Sequence, residues 1–509
     1  MSKSRAIAIA AAVLVATAPA LAQKAKNTLR VGFYDPIPGV DLVYDPKGET
    51  AFTARAVFDT LISYDERTKT FEPLLAKSWK TVNPTTYEFV LRDDVRFHDG
   101  SPLDADDVVY TLNFLADPKV KFRIKSRFLW IAKAEKAGSH TVRVTTKGPR
   151  AVALARFAVS IPIFPSDVHG ALKNKAAFGK KPIGTGPYKV VAYDPNTGVR
   201  MVRNPDYRHG SPSRPAGTIE TIHVLPIPDV QNQVAQLITG GLDMIHNVPK
   251  DQADNLAQNP ELAVTVSNGI LYRYIAFDAI GRTGSDDLKD ARVRRALIHA
   301  IDRDSIRRNI FAGGDAVQKM DSICKPIQIG CVFDVKPPAY DPEKAKALLA
   351  EAGKSDLKLE ITTLPEARKV AEAIVGYLRA VGVKASIKSV TFGAYRKLQR
   401  TGKIRTLVHQ FSSGGVPDTD ALVSFYFGSK ARNYYGDEQI AGWMKEAGAS
   451  FDIAAREALY RKIFNRINQQ AYIVPIAGLP SVFVHARGLD IDKGIINPFG
   501  ADASRIRWK

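Results

Sequence analysis

Residues 409–428 read HQFSSGGVPDTDALVSFYFG and hold a dense set of groups able to handle a ligand. Apolar residues ending at Phe411 give way to Ser412, Ser413, Gly414 and Gly415, then Pro417, Asp418 and Asp420, before aromatics return. Glycine lets backbone approach a bound molecule, hydroxyls and carboxylates exchange hydrogen bonds with it, and rings give flat walls. Two acids two residues apart suggest a hydrolytic pair. Within one loop they seldom reach the separation of roughly 5 Å or more that glycoside hydrolysis uses. Binding is the better reading of this stretch. The structural alternative is that Asp418 caps a helix through ALVSFYF and Asp420 faces solvent.

Other chemistry is sparse. The chain has no HExxH, no GxSxG and no cysteine–histidine cluster, and its nine histidines lie far apart. No catalytic residue, metal ligand or cofactor is therefore expected. IGTGPY, at 183–188, has the glycines of a phosphate loop, but no helical pattern and no Gly-Lys-Ser/Thr follows. Cys324 and Cys331 are the only cysteines and enclose six residues, including Pro326 and Gly330. They suit a disulfide across a local turn, worth about 2–3 kcal/mol by loop entropy.

That pairing needs an oxidising compartment. MSKSRAIAIAAAVLVATAPALAQ supplies the route: Lys3 and Arg5, an apolar run from Ala6 to Ala18, then Ala20-Leu21-Ala22. This is the order of a secretory signal, residues 1–22, with cleavage expected after Ala22. The apolar run is shorter than the roughly 20 residues of a membrane span. Removing Lys3 and Arg5 from 72 basic residues leaves 70 against 52 acidic ones, a net of +18. The basic residues are scattered, without an aromatic-interleaved stripe, so no nucleic-acid partner is expected. A solvated basic surface beside anionic envelope polymers explains the charge; an acidic ligand is the sharper reading.

The elements that must position the loop alternate between strand and helix patterns. Leu29 to Phe33 is a strand, and ETAFTARAVFDTLISYD is helix-like. Tyr87, Phe89 and Leu91 alternate with polar neighbours as in a half-buried strand. SPLDADDVVYTLNFLADP has Asp104 as cap and Asp117-Pro118 as stop. IGTGPYKVVAYDPNTGVRMVRNPDY reads as two strands around Asn196–Gly198. YRYIAFDA is a strand, SDDLKDARVRRALIHAIDRDSIRRNIF one helix, and DPEKAKALLAEAG a helix with Asp341 as cap and Gly353 as terminator. LKLEITT, a helix through VAEAIVGYLRAVG, and VKASIKSV make a strand-helix-strand unit and predict a parallel sheet. LVHQF ends where the opening stretch begins, and open parallel sheets bind ligands beyond the carboxyl ends of their strands.

LRDDVRFHDGSPLDADDVVYTLNFL, IGTGPYKVVAYDP with RNPDY, VRRALIHAIDRDSI and YDPEKAKALLAEAG resemble, in that order, blocks of the peptide/oligopeptide family (family 5) of periplasmic ABC-transporter substrate-binding proteins. The resemblance covers nearly the whole mature chain. It implies an α/β, two-lobed, type II periplasmic-binding-protein fold with a hinged interlobe cleft. Lobe I would hold residues 23–268 and 480–509, with an extra subdomain at 50–180; lobe II would hold 269–479. It further implies a monomeric, soluble periplasmic protein that captures a peptide or peptide-like solute and delivers it to an inner-membrane ABC permease.

Peptide-binding members resemble this chain at Gly415, Val416, Pro417 and Asp418, but usually carry an aspartate just before, paired with the ligand ammonium. Ser412, Ser413 and Gly414 stand here instead. A hydroxyl lacks the charge-assisted bond, typically about 1.5–3 kcal/mol. The arginine that meets a dipeptide's carboxylate is also hard to place, since Arg368 falls at a helix start. The expected solute is thus not an ordinary free dipeptide. Longer or modified peptides fit, as do opine-like, glycan-derived or acidic conjugates. The expected cleft residues are Tyr34, Asp41, Tyr272, Phe411, Ser412, Ser413, Gly414, Asp418 and Asp420, while Asn433 and Tyr434 order a turn. A secreted hydrolase and a basic envelope-adhesion protein are the readings from other classes.

Overall fold

The computed structural model describes residues 27–45, 48–412, 415–492 and 501–509; the export segment 1–22 lies outside the described residues. Two large sheets organise the chain. The first has seven strands, in the order Leu262–Ser267, Ser481–Ala486, Met244–His246, Thr28–Phe33, Thr221–Pro226, Gly198–Arg203 and Tyr188–Asp194. Thr28–Phe33 runs parallel to both its neighbours. The segment holding Tyr34 and Asp41 therefore leaves from the carboxyl end of a parallel strand.

The second sheet has five strands, in the order Lys384–Ser389, Lys358–Thr363, Thr406–Phe411, Tyr272–Phe277 and Ile473–Gly478. The first three are parallel, as the strand-helix-strand pattern predicts. Tyr272–Phe277 is antiparallel to both its neighbours, so the sheet as a whole is mixed. Between the sheets the chain passes through residues 268–271 and 479–480, where Leu479 N donates to Leu271 O at 2.9 Å.

A smaller antiparallel sheet, Ala76–Asn83, Thr86–Leu91, Thr141–Thr146 and Ile131–Gly138, carries the helix Ala105–Ala116. Tyr87, Phe89 and Leu91 are fully buried there, the inward side of the alternating pattern. Asp104 and Asp107 form a reciprocal capping box at the helix start.

Two stretches divide where the sequence reads as continuous. ETAFTARAVFDTLISYD ends its helix at Val57, and Ile62–Asp65 is a strand. The expected single helix over 285–311 is two, Ala291–His299 and Arg303–Ile310. Val293, Leu297 and Ile301 are all buried, so the apolar period runs through the break. Asp302 makes the break: its carboxylate takes Ser305 N at 2.9 Å and starts the second helix as a cap.

Candidate functional site

Thr406–Phe411 lies inside the five-stranded sheet, with Phe411 opposite Tyr272 in register. Their rings stack at 4.9 Å, and Tyr272 Oη shares a 2.9 Å hydrogen bond with Tyr426 Oη. Both Tyr272 and Phe411 are fully buried, so they form the wall behind the loop. Ser412 is half-buried, whereas Ser413 and Gly414 lie outside the described residues. Gly415 then takes φ +89°, left-handed backbone that favours glycine.

The next residues are fixed by the disulfide-closed turn. Cys324 and Cys331 are bonded. Ile329 N donates to Pro417 O at 2.9 Å, and Thr419 N returns a bond to Ile329 O at 3.0 Å. Tyr64, from the strand Ile62–Asp65, donates to Ile327 O at 3.1 Å. Lys325 is completely buried, and its Nζ reaches Gly269 O at 2.6 Å. One small ring thus touches the loop, the crossing segment and the part of the chain that carries Tyr64.

Asp418 caps the helix Thr419–Phe427, accepting from Asp420 N at 2.8 Å, and pairs with Arg456. Burial pushes the Asp418 carboxyl up while Arg456 pulls it back. Asp420 is also buried, so it does not face solvent. Opposite stands the helix Ala153–Val159: Val152 and Ala155 pack with Val416 and Ala421, and Ala151 N donates to Gly448 O at 3.1 Å. Arg156, on that helix, has an Nε sealed from solvent with no hydrogen-bond partner among the described residues. Burial lowers its pKa to about 10, and Asp420 is the foremost charge opposing that fall.

Beside Tyr64 opens a pocket, partly continuous with solvent, walled among others by Leu42, Arg55, Asp59, Ser160, Arg214 and Asp502. Arg214 donates to Asp59 at 3.0 Å and to both oxygens of Asp502 at 3.1 Å. His209 reaches the other Asp59 oxygen at 3.0 Å. Burial alone would raise the Asp59 carboxyl, but Arg214 and His209 together hold it below the usual carboxylate range. This network keeps charges ionised and fixed in a buried wall, which is what polar recognition without reorganisation needs.

Asp41 neighbours this wall through Leu42. It is buried, with one oxygen on Val43 N at 2.8 Å and the other without a hydrogen-bond partner among the described residues. Burial pushes its pKa up to about 7. Tyr34 is 58% exposed. Arg368 points outward and pairs with Glu372 at 2.8 Å. Asn433 accepts from Tyr435 N and Gly436 N, ordering its turn.

The sequence reading missed Arg55, Arg156 and the 59/214/502 network. A local signal existed for two of them: TARAV and LARFA each set an arginine among small apolar residues on a buried helix. Asp59, Arg214 and Asp502 come together only through the fold.

The described residues thus define an α/β scaffold built on two large sheets, and comparison places it. The profile of "Bacterial extracellular solute-binding proteins, family 5 Middle" matches residues 70–434, and the chain belongs to that family. The fold is the type II fold of periplasmic binding proteins. The chain is 27% identical to "Di/tripeptide-binding protein 2" of Pseudomonas aeruginosa, over 89% of this chain and 90% of that protein. It is 24% identical to "Heme-binding protein A" of Haemophilus influenzae, over 89% of this chain and 86% of that one. A dipeptide binding protein from Pseudoalteromonas, solved with Met-Leu, superposes with a TM-score of 0.77 at 23% identity, covering 95% of this chain and 100% of that one.

Proposed function

We propose that this chain is the soluble periplasmic component of an ABC importer, exported with removal of residues 1–22. It closes two hinged lobes over a peptide or peptide-like solute, hands that solute to the membrane permease, and transforms nothing. The lobes are residues 23–268 with 480–509, including the 50–180 subdomain, and residues 269–479. The supporting observation is the seat of the 415–421 loop against residues 151–155, because it brings a strand-end loop of the five-stranded sheet against a helix of the proposed first lobe. Family membership agrees with it. A ligand that touches both faces shifts the open–closed equilibrium by its differential affinity for the closed form.

In this reading Tyr34, Asp41, Ser412, Ser413, Gly414 and Asp420 meet the solute, while Tyr272, Phe411 and Asp418 hold the loop that carries them. Asp420 is the carboxylate placed for an ammonium group. No carboxylate stands at Ser412, Ser413 or Gly414, so a free dipeptide lacks a usual partner there. The solute is therefore a longer or modified peptide. A second reading, an opine-like, glycan-derived or acidic conjugate on the same scaffold, is favoured by Arg55, which lines the pocket and forms no ion pair among the described residues.

Mass spectrometry of solutes released on denaturing the purified protein tests this directly. Calorimetry with di- and tripeptides and their acylated forms follows. Micromolar binding, about −8 kcal/mol, is expected for modified or longer peptides; the same affinity across many free dipeptides would refute the solute assignment.

A further inference from the structure

The pocket beside Tyr64 is lined by three cations, Arg55, Arg214 and Arg505, which differ in their partners among the described residues. Arg214 is engaged by Asp59 and by both oxygens of Asp502. Asp502 also accepts from Ser504 N at 3.0 Å and Ser504 Oγ at 2.8 Å. Arg505 pairs with Asp492 at 2.6 Å and with Glu66 at 3.8 Å. Asp59 and Asp502 are thus already engaged by Arg214.

Arg55 lines the same pocket. Its guanidinium donates to none of the described residues, and its Nε is sealed from solvent without a partner. Burial pushes its pKa down, Arg214 and Arg505 push the same way, and Asp502 and Glu66 oppose them. Ala54 and Ala56, on either side, are buried, so the side chain leaves a helix surface that is packed. An arginine held there is costly unless a group from outside completes it. Its planar fork matches two oxygens at once, which selects a carboxylate over a neutral acceptor.

We infer that Arg55 receives a carboxylate of the bound solute through two parallel N–H···O bonds. This rests on reading the chain as a solute receptor and names the group that the pocket requires of its solute.

The test follows thermal unfolding of the full mature chain in sodium succinate and in sodium chloride at matched ionic strength. Wild type, Arg55→Gln and Arg55→Lys are compared. Succinate raises the wild-type Tm above that in chloride in a concentration-dependent way. The Gln variant shows no such difference, and the Lys variant, with charge but no fork, keeps part of it. In chloride the Gln variant melts at or above the wild-type temperature, since a half-buried charge with no ion pair among the described residues has gone. No succinate response in wild type, or an equal response in the Gln variant, overturns the inference. Variants that fail to fold overturn it too, by marking Arg55 as structural. The peptide titration can fail with the succinate response intact, which would keep the carboxylate site and discard peptides; the reverse pattern would discard Arg55 alone.

Discussion

Arg456 and Asp418 form an ion pair that solvent barely reaches, with side-chain exposures of 4% and 1%. The same carboxylate caps the helix Thr419–Phe427. Asp418 is therefore committed to holding the loop, and removing it strands a buried guanidinium. Asp418→Ala should lower stability by about 3–5 kcal/mol from the broken pair, with about 1 kcal/mol more from the lost cap. Urea unfolding reads this as a shift in midpoint. A loss below about 1 kcal/mol would place the pair among exposed ones.

Replacing Cys324 and Cys331 together by serine should cost about 2–3 kcal/mol, the loop-closure value for so short a ring. The ring also fixes Pro417 and Thr419 through Ile329. Solute affinity should thus fall in calorimetry along with Tm. Unchanged affinity in a destabilised variant would separate the ring from the loop.

Asp41 gives a pH dependence of definite sign. Its folded pKa, about 7, lies above the 3.8 of an unperturbed carboxyl, so between those values the folded state holds a proton that the unfolded state has released. The stability it contributes is complete below the lower value and lost as pH rises through the upper one, on the order of 4 kcal/mol at most. Asp41→Asn should flatten that decline and be the more stable protein at pH 8. Parallel curves for the two proteins across pH 4–8 would contradict it.

Lys325 slopes the other way. Burial lowers its pKa to about 7 from 10.5, so within that window the unfolded chain binds the extra proton. Stability rises with pH there. Lys325→Met should remove the rise, measured as urea midpoints from pH 7 to 10. A rise of equal size in the variant would assign it to other groups.

Much of this architecture is visible in local chemistry. Asp104, Asp341 and Asp418 cap helices because a short acidic side chain bonds the first free N–H groups, whatever lies elsewhere in the chain. The division at Asp302 was hidden because Ile301 continues the apolar period across it. The burial of Asp420 and Tyr272 depends on elements far away in sequence, which local pattern does not register. The pocket is the extreme case: Arg214 joins Asp59 and Asp502 across separations of 155 and 288 residues.

The central claim is capture by closure. Small-angle scattering on protein stripped of solute by unfolding and refolding, before and after the released solute is returned, tests it most directly. The account predicts a smaller radius of gyration once the solute is restored. An unchanged scattering curve, with calorimetry showing that the solute has bound, would contradict it.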